Sequence, residues 1–291
     1  MLEKFFYPKS VAVIGASHEE KKIGFVIFKN LLEKFKGKVY AVNPNTEPIL
    51  DQKVYPSVLS IQDEIDLAII AVNAKIVPKV LEECGRKGIR NVVIISSGFS
   101  ETKTEEGIKL EEEVKRISKE FNIRIIGPNT IGIYNPEIGL DATFFLEKDV
   151  KKPKEGNVSF FTQSGTIGIL TLDLMAKENI GVAKLVSYGN ALNVNESDLL
   201  EYFLQDKKTK VIAGFIEGVR NGRKFIEILR KANKKIVLLK GGKTSFGARA
   251  TSSHTSSLAG DYKIYSNVFK QFKVIEAKTF EELIDFIKIL S

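Results

Sequence analysis

The stretch SVAVIGAS, residues 10–17, decides the fold. Val11 to Ile14 form an unbroken apolar run, which implies a strand buried on both faces, and the run stops at the small residues Gly15, Ala16 and Ser17. A segment of helical periodicity follows at about 23–35. Strand, small-residue turn and helix make the first half of a βαβ unit, and the same alternation continues outward from it. Further strands are expected at 38–44 (KVYAVNP), 65–72 (IDLAIIAV), 91–97 (NVVIISS) and 123–127 (IRIIG), with helices at about 75–87 and 104–121. The polar, Lys-rich stretch EKDVKKPKEG, 147–156, interrupts the pattern and is expected as a linker. The alternation then restarts at 157–163 (NVSFFTQ), 182–190, 211–218, 236–242 and 273–277, and the amphipathic segment TFEELIDFIKIL closes the chain. Two α/β domains follow from this, residues 1–146 and 157–291, which suits 291 residues at roughly 150 per domain.

Composition removes several classes of function. The chain is 43% hydrophobic and 27% charged, inside the range of ordinary folded domains. No apolar run approaches the roughly 18 residues of a membrane helix, and MLEKFFYPKS has no signal-peptide pattern, so a cytoplasmic protein is expected. The single cysteine, Cys84, excludes an intrachain disulfide and fits a reducing compartment. Only His18 and His254 are present, which excludes a multi-histidine metal site, and no metal is expected on this chain. The net charge of +8 suggests an anionic partner, but the lysines are scattered along helices with no aromatic-basic motif, so neither nucleic acid nor a membrane is expected.

Four constellations could carry chemistry. Gly15, Ala16 and Ser17 lead into a helix with Lys22 beside its start, a turn suited to binding a phosphate at a helix N-terminus. The G-x-G-x-x-G spacing of a dinucleotide site is absent, and Asn43 followed by Pro44 stands where such a site places an acid. A second device of this kind opens the other domain, where Gln163, Ser164 and Gly165 connect a buried strand to an apolar helix and Ser164 is a natural N-cap. Glu217 ends the buried strand VIAGFIEG, at the strand edge that faces the ligand crevice of α/β sheets. His254 lies in 240–260, a stretch dense in Gly, Ser, Thr and Ala, where imidazole could be a base or a phosphoryl carrier.

Taken in order, GAS and KKIG (15–24), VNP (42–44), SSGFSE (96–101), GPNTIG (127–132), TQSGTIG (162–168), GN and NESDLLEY (189–202), IEGV (216–219) and SSHTSSLAG (252–260) resemble the NDP-forming acyl-CoA synthetase superfamily. That superfamily includes the α subunit of succinyl-CoA synthetase and the α portion of ADP-forming acetyl-CoA synthetase. The resemblance implies a Rossmann-like CoA-binding domain followed by a flavodoxin-like, succinyl-CoA synthetase-like ligase domain. It places CoA at Gly15, Ala16, Ser17 and Lys22, at Asn43 and Pro44, at Val72, Asn73 and Ala74, and at Ser97, Gly98 and Phe99. It makes His254 the phosphorylated residue, Glu217 its supporting carboxylate, and Gln163, Ser164 and Gly165 the helix start that steadies the phosphohistidine.

The same resemblance implies a reversible ligase that forms acyl-CoA from a small carboxylic acid, CoA and ATP or GTP through an acyl phosphate, with phosphate as co-substrate. The nucleotide (ATP/ADP or GTP/GDP) and Mg would sit on a β-type ATP-grasp partner, giving a hetero-oligomer. Three positions depart from the pattern: Thr130 where Cys is common, Ser256 where Gly is usual, and Asn45 where Lys is common. They bear on CoA contacts and acyl specificity more than on the phosphoryl step. The alternative is a non-catalytic CoA-binding or regulatory protein of the same fold, and an NAD-dependent oxidoreductase is suggested only by the first strand and turn.

Overall fold

Alternate residues of the first strand feed two different cores, and this is why the strand is apolar throughout. In β1 (Ser10–Ile14), Val11 and Val13 pack with Ile27, Phe28 and Leu31 of α2 (Ile23–Lys34). Ala12 and Ile14 face the other way, toward Leu81 and Cys84 of α3 (Val77–Lys87) and Val114 and Ile117 of α4 (Glu105–Glu120). The structure, a computed structural model, describes residues 2–242 and 261–291. Its first sheet adds β2 (Lys38–Val42), β3 (Val54–Tyr55), β4 (Leu67–Ile70), β5 (Asn91–Ile94) and β6 (Arg124–Ile126), all parallel, in the order β3-β2-β1-β4-β5-β6. The chain runs outward from β1 in both directions, so the ends of β1 and β4 form a topological switch point, the usual place for a ligand crevice. Cys84 is a fully buried part of this core, and burial pushes its thiol pKa up.

The second sheet contains β7 (Ile133–Asn135), β8 (Leu140–Asp141), β9 (Glu155–Thr162), β10 (Val182–Ser187), β11 (Val211–Ile216), β12 (Lys235–Lys240) and β13 (Ile275–Ala277). Their order is β13-β12-β11-β9-β10-β7-β8, parallel except that β7 runs against both β10 and β8. Around this sheet lie α5 (Gly165–Lys177), α6 (Glu196–Gln205), α7 (Gly222–Arg230), α8 (Tyr262–Gln271) and α9 (Phe280–Leu290). Its own switch point falls at β9, which has β10 on one side and β11 on the other.

The chain passes from one sheet to the other at 127–132, between β6 and β7, and so before the stretch 147–156. Within that polar stretch Lys152 is buried, its ammonium 3.0 Å from Asp141 and also bonded to the Thr143 hydroxyl, while Glu155 already begins β9. A short N-terminal helix, α1 (Glu3–Phe6), stacks Phe6 on Tyr202 at 4.9 Å between ring centroids. Lys184, fully buried in β10, reaches Asp206 at 2.7 Å and the Tyr7 hydroxyl at 3.0 Å. A single apolar cluster, running from Phe6, Val13 and Phe28 to Phe161, Tyr188 and Phe203, spans both halves. The two lobes are therefore packed against each other along this cluster.

Candidate functional site

Gly15 has φ of +92°, open to glycine at little cost, and its N–H donates to Val42 O at 2.9 Å. Gly24, in the first turn of α2, lies so close that a β-carbon there would stand 1.8 Å from Gly15 O. The pair does what a closely spaced glycine fingerprint does, a tight turn and close helix approach, although its two members are much further apart in the sequence. Asn43 braces the turn, its side-chain amide donating to Ala16 O at 2.7 Å and its oxygen accepting Asn45 N at 2.8 Å. The start of α2 has no side-chain cap and no acid in its first turn, and Lys22 beside it is exposed and paired with Glu19 at 2.7 Å. Its first amides and its dipole therefore suit an anion.

A cleft of about 900 Å³ lies between the lobes at the carboxyl ends of both sheets. Its first-lobe wall contains Val72, Asn73 and Ala74 after β4, and Ser97 and Gly98 after β5. Asn73 caps a short 3₁₀ turn by accepting Lys75 N at 3.0 Å, and the Ser96 hydroxyl donates to Val72 O at 2.5 Å. The facing wall contains Gln163, Ser164 and Gly165 at the start of α5, together with Glu217. Ser164 caps α5 through Ile167 N at 3.4 Å, and no acid occupies the first turn of that helix.

Sequence-expected residues thus divide. Val72, Asn73, Ala74, Ser97, Gly98, Gln163, Ser164, Gly165 and Glu217 share the cleft. Gly15, Ala16, Ser17, Lys22, Asn43 and Pro44 do not line it, although Gly15 packs against Ala71 and Val72 and Lys22 precedes Ile23, all three of which do. The Phe99 ring does not line it: the side chain is fully buried in the core with Val114 and Ile117, because Gly98, at φ +111°, turns the chain inward. His254 lies outside the described residues. His18 is exposed beside Glu47, 3.9 Å away.

Glu217 sits in a loop pinned by side chains. Its N–H donates to Gln163 Oε1 at 3.2 Å, Val219 N to the Tyr265 hydroxyl at 3.1 Å, and Arg220 N to Glu196 Oε1 at 2.9 Å. Glu196 is almost completely buried, and desolvation raises its carboxyl pKa against the pull of Arg220. Tyr188, buried beside Glu196 and Glu217, has its phenol pushed far up for the same reason. Thr130 also lines the cleft, and its hydroxyl donates to Ser187 O at 2.5 Å and accepts Gly132 N at 3.0 Å, two bonds that a thiol makes only weakly. Sequence reading gives no role to Tyr188 and Arg220, which stand behind the cleft wall beside Glu196, and has Asn190 only as part of the GN motif. Glu196 lies in the first turn of α6, where Asn195 forms a capping box with Asp198.

Comparison with known proteins finds matches to both halves of the chain. Residues 9–136 match the family model described as CoA binding domain, and residues 155–290 match the one described as succinyl-CoA ligase like flavodoxin domain. The chain belongs to the NDP-forming acyl-CoA synthetase superfamily. Within the superfamily it is 49% identical to an ADP-forming acetate–CoA ligase of Methanocaldococcus jannaschii, over 100% of this chain and 40% of that protein. It is 46% identical to the α subunit of ADP-forming acetate–CoA ligase II of Pyrococcus furiosus, over 98% of this chain and 61% of that subunit. Among solved structures, the dinucleotide-forming acetyl-coenzyme A synthetase 1 of Ca. Korarchaeum cryptofilum, in complex with phosphate and ADP, superposes with a TM-score of 0.93 at 40% identity. That match covers 100% of this chain and 62% of the other. The chain spans between about two fifths and three fifths of the length of these superfamily members.

Proposed function

We propose that this chain is the α-type part of an NDP-forming acyl-CoA synthetase, reversibly making acyl-CoA from a small carboxylic acid, CoA and ATP or GTP. One observation carries the proposal. The strand ends after β4 and β5, the capped start of α5 and Glu217 face a single cleft, so an acyl thioester held by the first lobe meets the phosphoryl site of the second. In the direction of acyl-CoA breakdown, a phosphate oxygen attacks the thioester carbonyl, the C–S bond breaks and the CoA thiol leaves. A neutral imidazole nitrogen of His254 then attacks phosphorus, and the acyl carboxylate departs with the bridging oxygen.

Little covalent assistance is needed for such a transfer, and oriented amides at the start of α5 supply the electrostatic part. Glu217 fixes the imidazole and offsets its developing charge. The phosphoryl group passes to ADP or GDP, bound with Mg on a β-type ATP-grasp partner, in a cytoplasmic hetero-oligomer. CoA falls to the first-sheet lobe through Gly15, Ala16, Ser17, Lys22, Asn43 and Pro44, with Val72, Asn73, Ala74, Ser97 and Gly98 at the cleft wall.

The test is to mix the chain with an ATP-grasp partner and γ-labelled ATP. An acid-labile label on this chain is expected, lost in His254→Asn and reduced in Glu217→Gln. A label that persists in His254→Asn overturns the assignment. CoA binding with no labelling, even from acyl phosphate, leaves the regulatory alternative instead.

A further inference from the structure

One side chain joins the two halves of the cleft. Asn190, after β10 in the second lobe, donates from its amide nitrogen to Glu101 Oε2 at 2.6 Å and to Glu111 Oε2 at 2.8 Å, both in the first lobe. Glu101 in turn accepts Gly98 N at 2.6 Å and Phe99 N at 3.2 Å, which holds the turn after β5. On its other side, Asn190 O accepts the Arg220 guanidinium at 2.7 Å, and Arg220 belongs to the loop that carries Glu217. Asn190 N itself donates to Pro128 O at 2.9 Å, and the residue is 5% exposed. Two carboxylates therefore share the side-chain amide of Asn190 while its backbone carbonyl accepts from Arg220, so this one residue, through side chain and main chain, is a polar link between the Gly98 turn and the Arg220 loop.

We infer that Asn190 is a positioning residue that holds the Gly98 turn and the Glu217–Arg220 loop in register, so that the acyl-CoA and phosphoryl halves of the cleft are presented to one another correctly. The part about register stands on the hydrogen bonds alone; the part about acyl-CoA rests on the function proposed above. Exchanging the bonded groups tests this coupling directly.

The exchange is available within the site. In Asn190→Asp the donor becomes a third carboxylate facing Glu101 and Glu111, a repulsive contact in a part-buried place. In the double variant Asn190→Asp with Glu101→Gln, the introduced glutamine amide can donate to the introduced carboxylate while its oxygen still accepts Gly98 N. Donor and acceptor are then reversed and the link is remade. Three measurements on the full chain decide the matter: thermal unfolding, hydrogen exchange of the 97–102 and 217–221 segments without ligand, and CoA affinity by calorimetry.

The single variant is expected to exchange faster in both segments and to bind CoA about tenfold more weakly, the loss that accompanies one charge-assisted hydrogen bond. The double variant should recover most of both, while its unfolding temperature stays near that of the single because Glu111 still faces a carboxylate. Unchanged exchange in either segment, or no recovery in the double variant, overturns the inference. If the unmodified chain itself binds no CoA, the proposed function fails, and the exchange data still judge the register.

Discussion

Gln163 Oε1 accepts the backbone N–H of Glu217 at 3.2 Å, linking the end of β9 to the end of β11 across the switch point of the second sheet. Gln163 is 6% exposed and Glu217 8%, so the bond is shielded from water and fixes where the carboxylate stands relative to the start of α5. Removing the acceptor leaves a buried N–H unpaired at a cost of about 1–3 kcal/mol. Gln163→Leu is therefore expected to reduce the rate of His254 phosphorylation by roughly 5- to 160-fold, with CoA affinity unchanged. Gln163→Glu keeps an acceptor oxygen but adds a carboxylate beside Glu217 at the anion-binding helix start, so it should not recover the rate. Single-turnover labelling beside a CoA titration checks both, and equal losses in the two measurements would show that Gln163 acts through the whole fold.

The first turn allows a sharper steric test. Because a β-carbon on Gly24 would stand 1.8 Å from Gly15 O, a backbone atom that cannot rotate away, Gly24→Ala must push α2 off the turn. Overpacking of this kind costs about 1–3 kcal/mol. The expected result is a lower unfolding temperature together with weakened CoA binding, whereas Gly222→Ala, at a position with open space around it, should change neither. Calorimetric unfolding of the two variants side by side makes the comparison.

How much of this is legible in the sequence follows from the length of each signal. The main parallel strands are apolar for several residues and stand between helices, so pattern alone locates them, and Glu217 and Ser164 are found because strand ends and N-caps have readable chemistry. The pair β7 and β8 is not legible: at three and two residues, separated by Pro136 and Gly139, it is too short to show a period. Lys152 is hidden inside a lysine-rich run, because composition cannot distinguish a solvated ammonium from one folded back onto Asp141. Phe99 is misplaced for a related reason. Its motif neighbour Gly98 faces the cleft, and only the backbone turn reveals that the ring faces the core. The GN motif marks Asn190 in the sequence but not its role, since its partners Glu101 and Glu111 lie 79 or more residues away.

Lys152 and Asp141 are 2% and 5% exposed at the side chain, and burial lowers the lysine pKa against the pull of Asp141. The pair also orders the segment that brings Phe144 to the cleft wall. Breaking it from one side strands a buried charge, so Lys152→Met alone should cost about 3–5 kcal/mol, whereas Lys152→Met with Asp141→Leu should cost much less. Chemical denaturation of the single and double variants tests this. Equal destabilisation by the two would mean that the hydroxyl of Thr143, rather than the ion pair, governs the segment.

Glu196 supplies the pH test. Its folded-state pKa is raised, chiefly by desolvation, with Arg220 and the bonds from the Arg220 N–H and the Ser197 hydroxyl opposing the rise. A raised folded pKa means that the folded state holds the proton more tightly than the unfolded chain, whose carboxyl titrates at about 4.3. The stabilising contribution is thus complete below that value and is lost as pH rises through the folded pKa. Above it, the protein carries a buried carboxylate. Glu196→Gln keeps the oxygen that accepts Arg220 N and removes the charge, so the variant should match the parent near about pH 4 and become the more stable of the two toward about pH 8. The difference in unfolding free energy between the two proteins, measured across that range, cancels titrations common to both. A gap that stays constant, or that closes as pH rises, would mean that Arg220 compensates the Glu196 charge fully in the folded state.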